Sequence, residues 1–245
     1  AGLGEKIFCI SSSGNAALAA IYAVEELNKQ ETIQPFTLRV FVGRHIEQNK
    51  LKKLRETITD AKNIIIEQVE NPKQKAFQMD KDSLAKNLRQ STDDTALAGY
   101  ETLAIELAEI KNLSAVFIPT SSGTTAQGLY DGLKKHGLNP QIHIIQTPAC
   151  HMIVESSVPT ESSLANAIVD KIGYRKETVQ KIVRDSQGSG WIATNKNIAE
   201  AVRQIKETEN IDISPNSALS IAGLKLALEN NWKFGGPVVC ILTGR

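Results

Sequence analysis

Three stretches of small polar residues hold the groups with which this chain can do chemistry. Pro119-Thr120-Ser121-Ser122-Gly123-Thr124-Thr125-Ala126-Gln127-Gly128 follows an apolar run, Ala115 to Ile118, and opens a helical pattern from Ala126 to Lys135. A strand, a small-residue turn and a helix together point backbone N–H groups and the positive helix end at an anion. Ser122, Gly123, Thr124 and Thr125 offer several donors to one phosphate, and Gly123 allows close backbone approach. The same residues also suit an ordinary strand–helix turn with a hydroxyl cap. Ser11-Ser12-Ser13-Gly14-Asn15 repeats the arrangement near the start, and Thr243-Gly244-Arg245 ends an apolar run at the other end. None of Ser12, Ser13, Ser121 and Ser122 has a histidine and carboxylate pairing that would make it a nucleophile.

The elements that must position these stretches alternate. Strands are predicted at Lys6 to Ile10, Phe36 to Val42, Asn63 to Val69, Ala115 to Ile118, Gln141 to Gln146, Trp191 to Ala193 and Val238 to Leu242. Helices are predicted over Ala16 to Leu27, Gln48 to Thr57, Tyr100 to Ile110, Lys176 to Arg184, from the Thr194 cap to about Glu207, and from Ser214-Pro215 to Asn230. This rhythm implies right-handed crossovers and parallel sheets. Asp80 to Leu88 reads as a short helix and Arg89 to Thr95 as a polar loop. A boundary near Ala96 to Tyr100 divides the chain into 1–98, a smaller lobe with the Asn15 loop, and 99–245, a larger lobe with the Ser122–Thr125 loop.

The bulk numbers bound the class. Of 245 residues, 41% are hydrophobic and 22% charged, with a formal net charge of +1, which is a globular composition without a basic block. That balance argues against nucleic acid as the main partner, and no apolar run is long enough to span a bilayer. Cys9, Cys150 and Cys240 lack metal-ligand spacing and read as buried free thiols, as in a reducing cytoplasm. No metal is expected, and His151 reads as a partly buried, hydrogen-bonded histidine. Trp191 and Trp232 read as packing residues.

Taken together, the stretches resemble the tryptophan-synthase-like, fold type II family of pyridoxal-phosphate enzymes, in the family's order. Ser12-Ser13-Gly14-Asn15 before an alanine-rich helix is similar to the family's asparagine loop. Ser121-Ser122-Gly123-Thr124-Thr125 resembles its phosphate-cradling loop. Val238 to Gly244 resembles the strand that carries the partner of the pyridine nitrogen, in the form typical of threonine synthases. Gly99-Tyr100-Glu101-Thr102 and Ser214-Pro215-Asn216-Ser217-Ala218, each before a helix, fit as well.

The resemblance implies a two-lobed, three-layer αβα fold with parallel sheets, and pyridoxal 5′-phosphate as cofactor. It implies phosphate binding by Ser122, Gly123, Thr124 and Thr125, an amide N–H from Asn15 to the phenolic oxygen, and a neutral hydroxyl, Thr243, at the ring nitrogen. The substrate carboxylate would sit on Ser12, Ser13 and Gly14. A hydroxyl cannot protonate the pyridine as a carboxylate helps to do, which suits elimination and replacement at the β or γ carbon. The implied reaction is conversion of O-phosphohomoserine to threonine by a cytoplasmic homodimer acting on a small amino-acid substrate. Arg89, Ser91 and Thr92 would supply contacts to the substrate phosphate. Threonine or serine dehydratases and ammonia-lyases are the near alternatives, and a non-enzymatic metabolite- or anion-binding module is the distant one.

One departure stands out. The family holds its cofactor as an imine on a lysine upstream of the asparagine loop. Here the only lysine before Ser11 is Lys6, in the predicted strand, and Lys171, Lys176, Lys225 and Lys233 lack the family's setting. No catalytic residue is therefore assigned, because the Schiff-base lysine is not found in the chain. The expectation is a lysine-less piece of a longer enzyme, without its first strands, with a natural lysine-free relative as the alternative; in either case no turnover is expected of the chain alone.

Overall fold

The computed structural model describes residues 6–30, 33–155, 162–170 and 172–244, so Lys171 and Arg245 lie outside the described residues. The chain forms two compact units, Ala1–Arg89 and Gln90–Arg245. In the first unit β1 (Ile7–Ser11), α1 (Asn15–Gln30), β2 (Thr37–Gly43), α2 (Gln48–Thr57), β3 (Ile64–Val69), α3 (Pro72–Lys81) and β4 (Lys86–Asn87) follow one another. The strands make a parallel sheet in the order β3-β2-β1-β4. Alternation along the strands covers both faces. Ile10, Val40 and Val42 pack with Ala17, Ile21 and Leu51 of α1 and α2. Cys9 and Phe41 turn to Ala76 and Met79 of α3 on the other side.

The short helix predicted over Asp80 to Leu88 lies earlier in the chain. Pro72, with φ already suited to a first turn, starts α3, and Ser83 at φ 55° turns the chain into β4. Lys86 and Asn87 are taken by the free side of β1, where they pair with Phe8 and Cys9. A two-residue strand has too little pattern to be seen in sequence.

The second unit begins with a 3-10 helix, Asp94–Tyr100. It continues with α4 (Glu101–Ala108), β5 (Ala115–Pro119), α5 (Thr124–Lys135), β6 (Gln141–Gln146), α6 (Lys176–Asp185), β7 (Gly190–Ile192), α7 (Asn195–Glu209), α8 (Pro215–Glu229) and β8 (Val238–Cys240). Its strands are parallel in the order β7-β6-β5-β8. Every residue of β5 is buried, because helices cover both faces of the sheet. Ala115 and Phe117 meet Ala218, Leu219 and Ala222 of α8. Val116 and Ile118 meet Ala126, Leu129 and Leu133 of α5. Burying a Leu or Ile side chain contributes about 2 kcal/mol, so these two clusters dominate the stability of the unit.

The division falls between Arg89 and Gln90, earlier than the predicted boundary at 98. The segment from Gln90 to Tyr100 packs on α5. A Cβ at Gly128 would lie 2.5 Å from Tyr100 Cδ2, so only a glycine lets the two elements meet.

Candidate active site

In the first unit β1 ends at Ser11 and α1 begins at Asn15, which places Ser12, Ser13 and Gly14 at the carboxyl edge of the sheet. The Gly14 carbonyl accepts the amides of Ala17 at 3.0 Å and Leu18 at 3.3 Å, which starts the helix. Asn15 is exposed in its first turn. The Gly14 amide donates to Ser12 Oγ at 3.3 Å. Ser11, Ser12 and Ser13 line a cavity of about 520 Å³. Its other walls are the end of β2 at Gly43 and the start of α3, from Asn71 to Gln74. The chain leaves β1 toward β2 and later crosses to β4 on the opposite side, and such reversals at carboxyl edges are where open parallel sheets take ligands. Lys6 points elsewhere: its ammonium stands 4.0 Å from the centre of the Phe36 ring.

In the second unit the edge is built more tightly. The Thr120 amide donates to the Ile145 carbonyl at 2.8 Å, which ties the start of the loop to β6. Gly123 follows at φ 95°, a backbone region that glycine enters without strain. A Cβ there would also lie 2.7 Å from Val179 Cγ2 and 3.2 Å from Arg175 Cβ. Gly123 precedes the first residue of α5, and no side chain caps that helix. Its leading amides thus lack intrahelical acceptors and remain available to an anion. The hydroxyls around them are fixed: Ser122 and Thr124 share a hydrogen bond of 3.0 Å, and Thr125 donates to the Tyr100 hydroxyl at 3.0 Å. Ser121 Oγ accepts the Asp170 amide at 3.1 Å.

Thr243 follows β8, the neighbour of β5, so it leaves the sheet at the same edge as the Ser122–Thr125 loop. The Ile241 amide donates to the Phe117 carbonyl at 3.0 Å and carries the pairing past the end of the strand. Ser217, fully buried in the first turn of α8, then holds Gly244 by both polar groups. It accepts the Gly244 amide at 2.9 Å and donates to the Gly244 carbonyl. Ser214 caps the helix by accepting the Ser217 amide at 3.3 Å, as the Ser-Pro pair predicts.

Two residues at this edge escaped sequence reasoning. Gln146, buried at the end of β6, accepts the amides of Ile153 and Val154 at 3.0 Å each and donates to the Thr120 carbonyl at 3.3 Å. Arg175 joins Asp94 and Gln127, a contact between residues far apart in the chain that no local pattern announces. The thiols are held in their protonated form. Burial pushes Cys150 up, and it pushes Cys9 to about 11 and Cys240 to about 12. Among the described residues no group of three or more His, Cys, Asp or Glu is placed to hold a metal ion, and no helix is long and apolar enough to cross a membrane.

The chain resembles known proteins in sequence and in fold. Over 176 residues the chain is 26% identical to threonine synthase of Methanocaldococcus jannaschii, a match that takes in 64% of this chain and 44% of that one. Among solved structures, the processed threonine deaminase isoform 2 of Solanum lycopersicum superposes with a TM-score of 0.79 at 17% identity over 98% of this chain. Maize serine racemase gives 0.78 at 16% identity over 98%. The L-serine ammonia-lyase of Rhizomucor miehei gives 0.77 at 15% identity over 99%. The chain spans 66% of the tomato enzyme's length, 73% of the maize enzyme's and 79% of the fungal one's. These likenesses establish the predicted tryptophan-synthase-like fold. The sequence pattern of pyridoxal-phosphate dependent enzymes matches residues 1–244, and the chain belongs to that family.

Proposed function

We propose that this chain is the cofactor-binding part of an amino-acid lyase whose reaction is that of threonine synthase, O-phosphohomoserine to threonine and phosphate. What carries the reading is the uncapped first turn of α5, entered through Gly123, at the sheet edge from which Thr243 also leaves. The donor set fits the cofactor's phosphate: free amides, two linked hydroxyls and no acidic residue in the first turn of the helix. When bound, the cofactor supplies electron withdrawal through its pyridine ring.

The chain's own groups do the rest. The amides of Ser122 to Thr125 hold the phosphate. Asn15 donates its side-chain N–H to the phenolic oxygen, and Thr243 offers a hydroxyl to the ring nitrogen. A hydroxyl there leaves the ring uncharged and limits its electron withdrawal, which favours replacement at the substrate's outer carbons. Ser12, Ser13 and Gly14 take the substrate carboxylate at the start of α1. The cavity beside them has room for the rest of a small amino acid. No lysine of the chain has the family's setting, so the chain by itself forms no stable link to the cofactor. Borohydride reduction followed by denaturation is expected to leave no pyridoxyl lysine at a single site.

The 26% identity to a threonine synthase favours this reaction, and the threonine deaminase and serine ammonia-lyase likenesses favour ammonia release from threonine or serine as the second reading. The gene product that carries this chain, assayed with pyridoxal phosphate, is expected to release inorganic phosphate from O-phosphohomoserine. Ammonia release from threonine or serine, with none of that phosphate, would replace the first reading by the second.

A further inference from the structure

Arg175 is the only arginine side chain among the described residues that is buried, 7% exposed, and it lies against the glycine of the proposed phosphate loop. Its guanidinium meets acceptors from two separate stretches. Nη1 donates to Asp94 Oδ1 at 2.7 Å and to Gln127 Oε1 at 2.9 Å. Nη2 donates to the carbonyls of Gln90 and Asp93 at 3.3 Å each. Thr124, in the first turn of α5, donates its hydroxyl to the same Gln90 carbonyl at 3.3 Å. Arginine and the phosphate loop therefore grip one strip of backbone, Gln90 to Asp94, from two sides. Nε–H, also buried, meets no acceptor among the described residues. Burying a guanidinium with one donor unmet costs free energy that an apolar side chain would not. A planar fork with fixed donor directions is what such a place gains in return.

We propose that Arg175 is a positioning residue for phosphate recognition. It fastens the segment Gln90–Asp94 to the first turn of α5, so that Thr124 and the leading amides keep one aim. The assignment rests on the phosphate-loop reading above. It assigns Arg175 no contact with the ligand: its Nη donors are engaged by Asp94, Gln127, Gln90 and Asp93. A lysine at this position keeps the charge and loses the fork, so charge alone does not replace it.

The test compares pyridoxine 5′-phosphate with pyridoxine. Neither has an aldehyde, so surface lysines do not react, and the two differ only by the phosphate. Dissociation constants are measured by calorimetry on the whole chain. The wild type is expected to prefer the phosphorylated compound. Arg175→Gln and Arg175→Lys are expected to weaken pyridoxine 5′-phosphate on the order of tenfold, the scale of effect when a site's supporting geometry is loosened, and to leave pyridoxine within about twofold. A folded Arg175→Gln protein with undiminished preference, or one that loses both compounds alike, overturns the assignment and leaves the loop reading standing. A wild type without preference removes the loop reading and the assignment with it. If Arg175→Gln does not fold, Asp94→Asn decides, because that carboxylate is 81% exposed and its change is expected to leave the fold intact. Asp94→Asn should lower the preference about threefold by weakening one bond of the fork, and an unchanged preference there also overturns the assignment.

Discussion

The two serine-rich turns look alike in sequence and are built differently. The turn at Ser12–Asn15 has one internal hydrogen bond, from the Gly14 amide to Ser12, and nothing lies within 4 Å of a Cβ placed on Gly14. Ser13, Gly14 and Asn15 are exposed beside the cavity. The turn at Ser121–Thr125 is held by Asp170, Tyr100 and Gln90 through three different hydroxyls, and Gly123 is pressed against Val179. A fixed charge such as a phosphate rewards donors that do not move, because no reorganisation is needed on binding. A turn that takes a changing substrate gains from slack. The same residue types thus build a tightly held turn in one unit and a loosely held one in the other, which suits the phosphate and substrate roles proposed for them, and their neighbours decide which.

Substitutions can break that contrast. The largest effect is expected at the rigid turn. Gly123→Ala must adopt φ 95° and place its Cβ 2.7 Å from Val179, which should destabilise the second unit by about 3 kcal/mol in urea denaturation. Gly14→Ala, by contrast, should shift stability by no more than about 0.5 kcal/mol. If both cost the same, the contrast fails.

Next in size is the acid response of the second unit's interior. His143 is fully buried and stacked on Phe117 with ring centres 4.4 Å apart. Trp191 Nε1–H donates to its Nδ1 at 3.1 Å, so Nε2 carries the proton and donates to Gln141 at 3.1 Å. Burial lowers its pKa from 6.5 to about 4. Between those values the unfolded chain binds more protons than the folded one, so stability falls as the pH drops. Full stability is expected above about pH 6.5, with a loss of about 3 kcal/mol by pH 4 that His143→Gln should blunt in a pH series of denaturation curves.

Smaller effects sharpen the picture. Thr125→Val removes the bond to Tyr100 and should cost about 1 kcal/mol, with a similar coupling to Tyr100→Phe in a double-mutant cycle. Asn15→Ala should change stability least, within about 0.5 kcal/mol, since the side chain is exposed. It should still weaken pyridoxine 5′-phosphate, a loss of binding without a loss of fold.

Much of this molecule is written locally. The apolar runs at Ala115–Pro119 and Gln141–Gln146, the Thr194 and Ser214 caps and the three small-residue turns each carry their signal within a few residues, because strand period, cap chemistry and helix dipoles are short-range. From them the parallel αβα units and the carboxyl-edge placement of Ser12–Asn15, Ser122–Thr125 and Thr243 follow. Other features needed the folded chain. The two-residue strand at Lys86–Asn87 exists because β1 had an open side. The unit boundary moved to Gln90 because Gln90, Asp93 and Asp94 are bound by Arg175 and Thr124 of the second unit. Arg175 met Asp94 across 81 positions. Trp191 and Trp232, which read as packing residues, also donate hydrogen bonds to His143 and Gln141. A side chain's partner across such distances is chosen by topology and close packing, and composition or periodicity has no term for either.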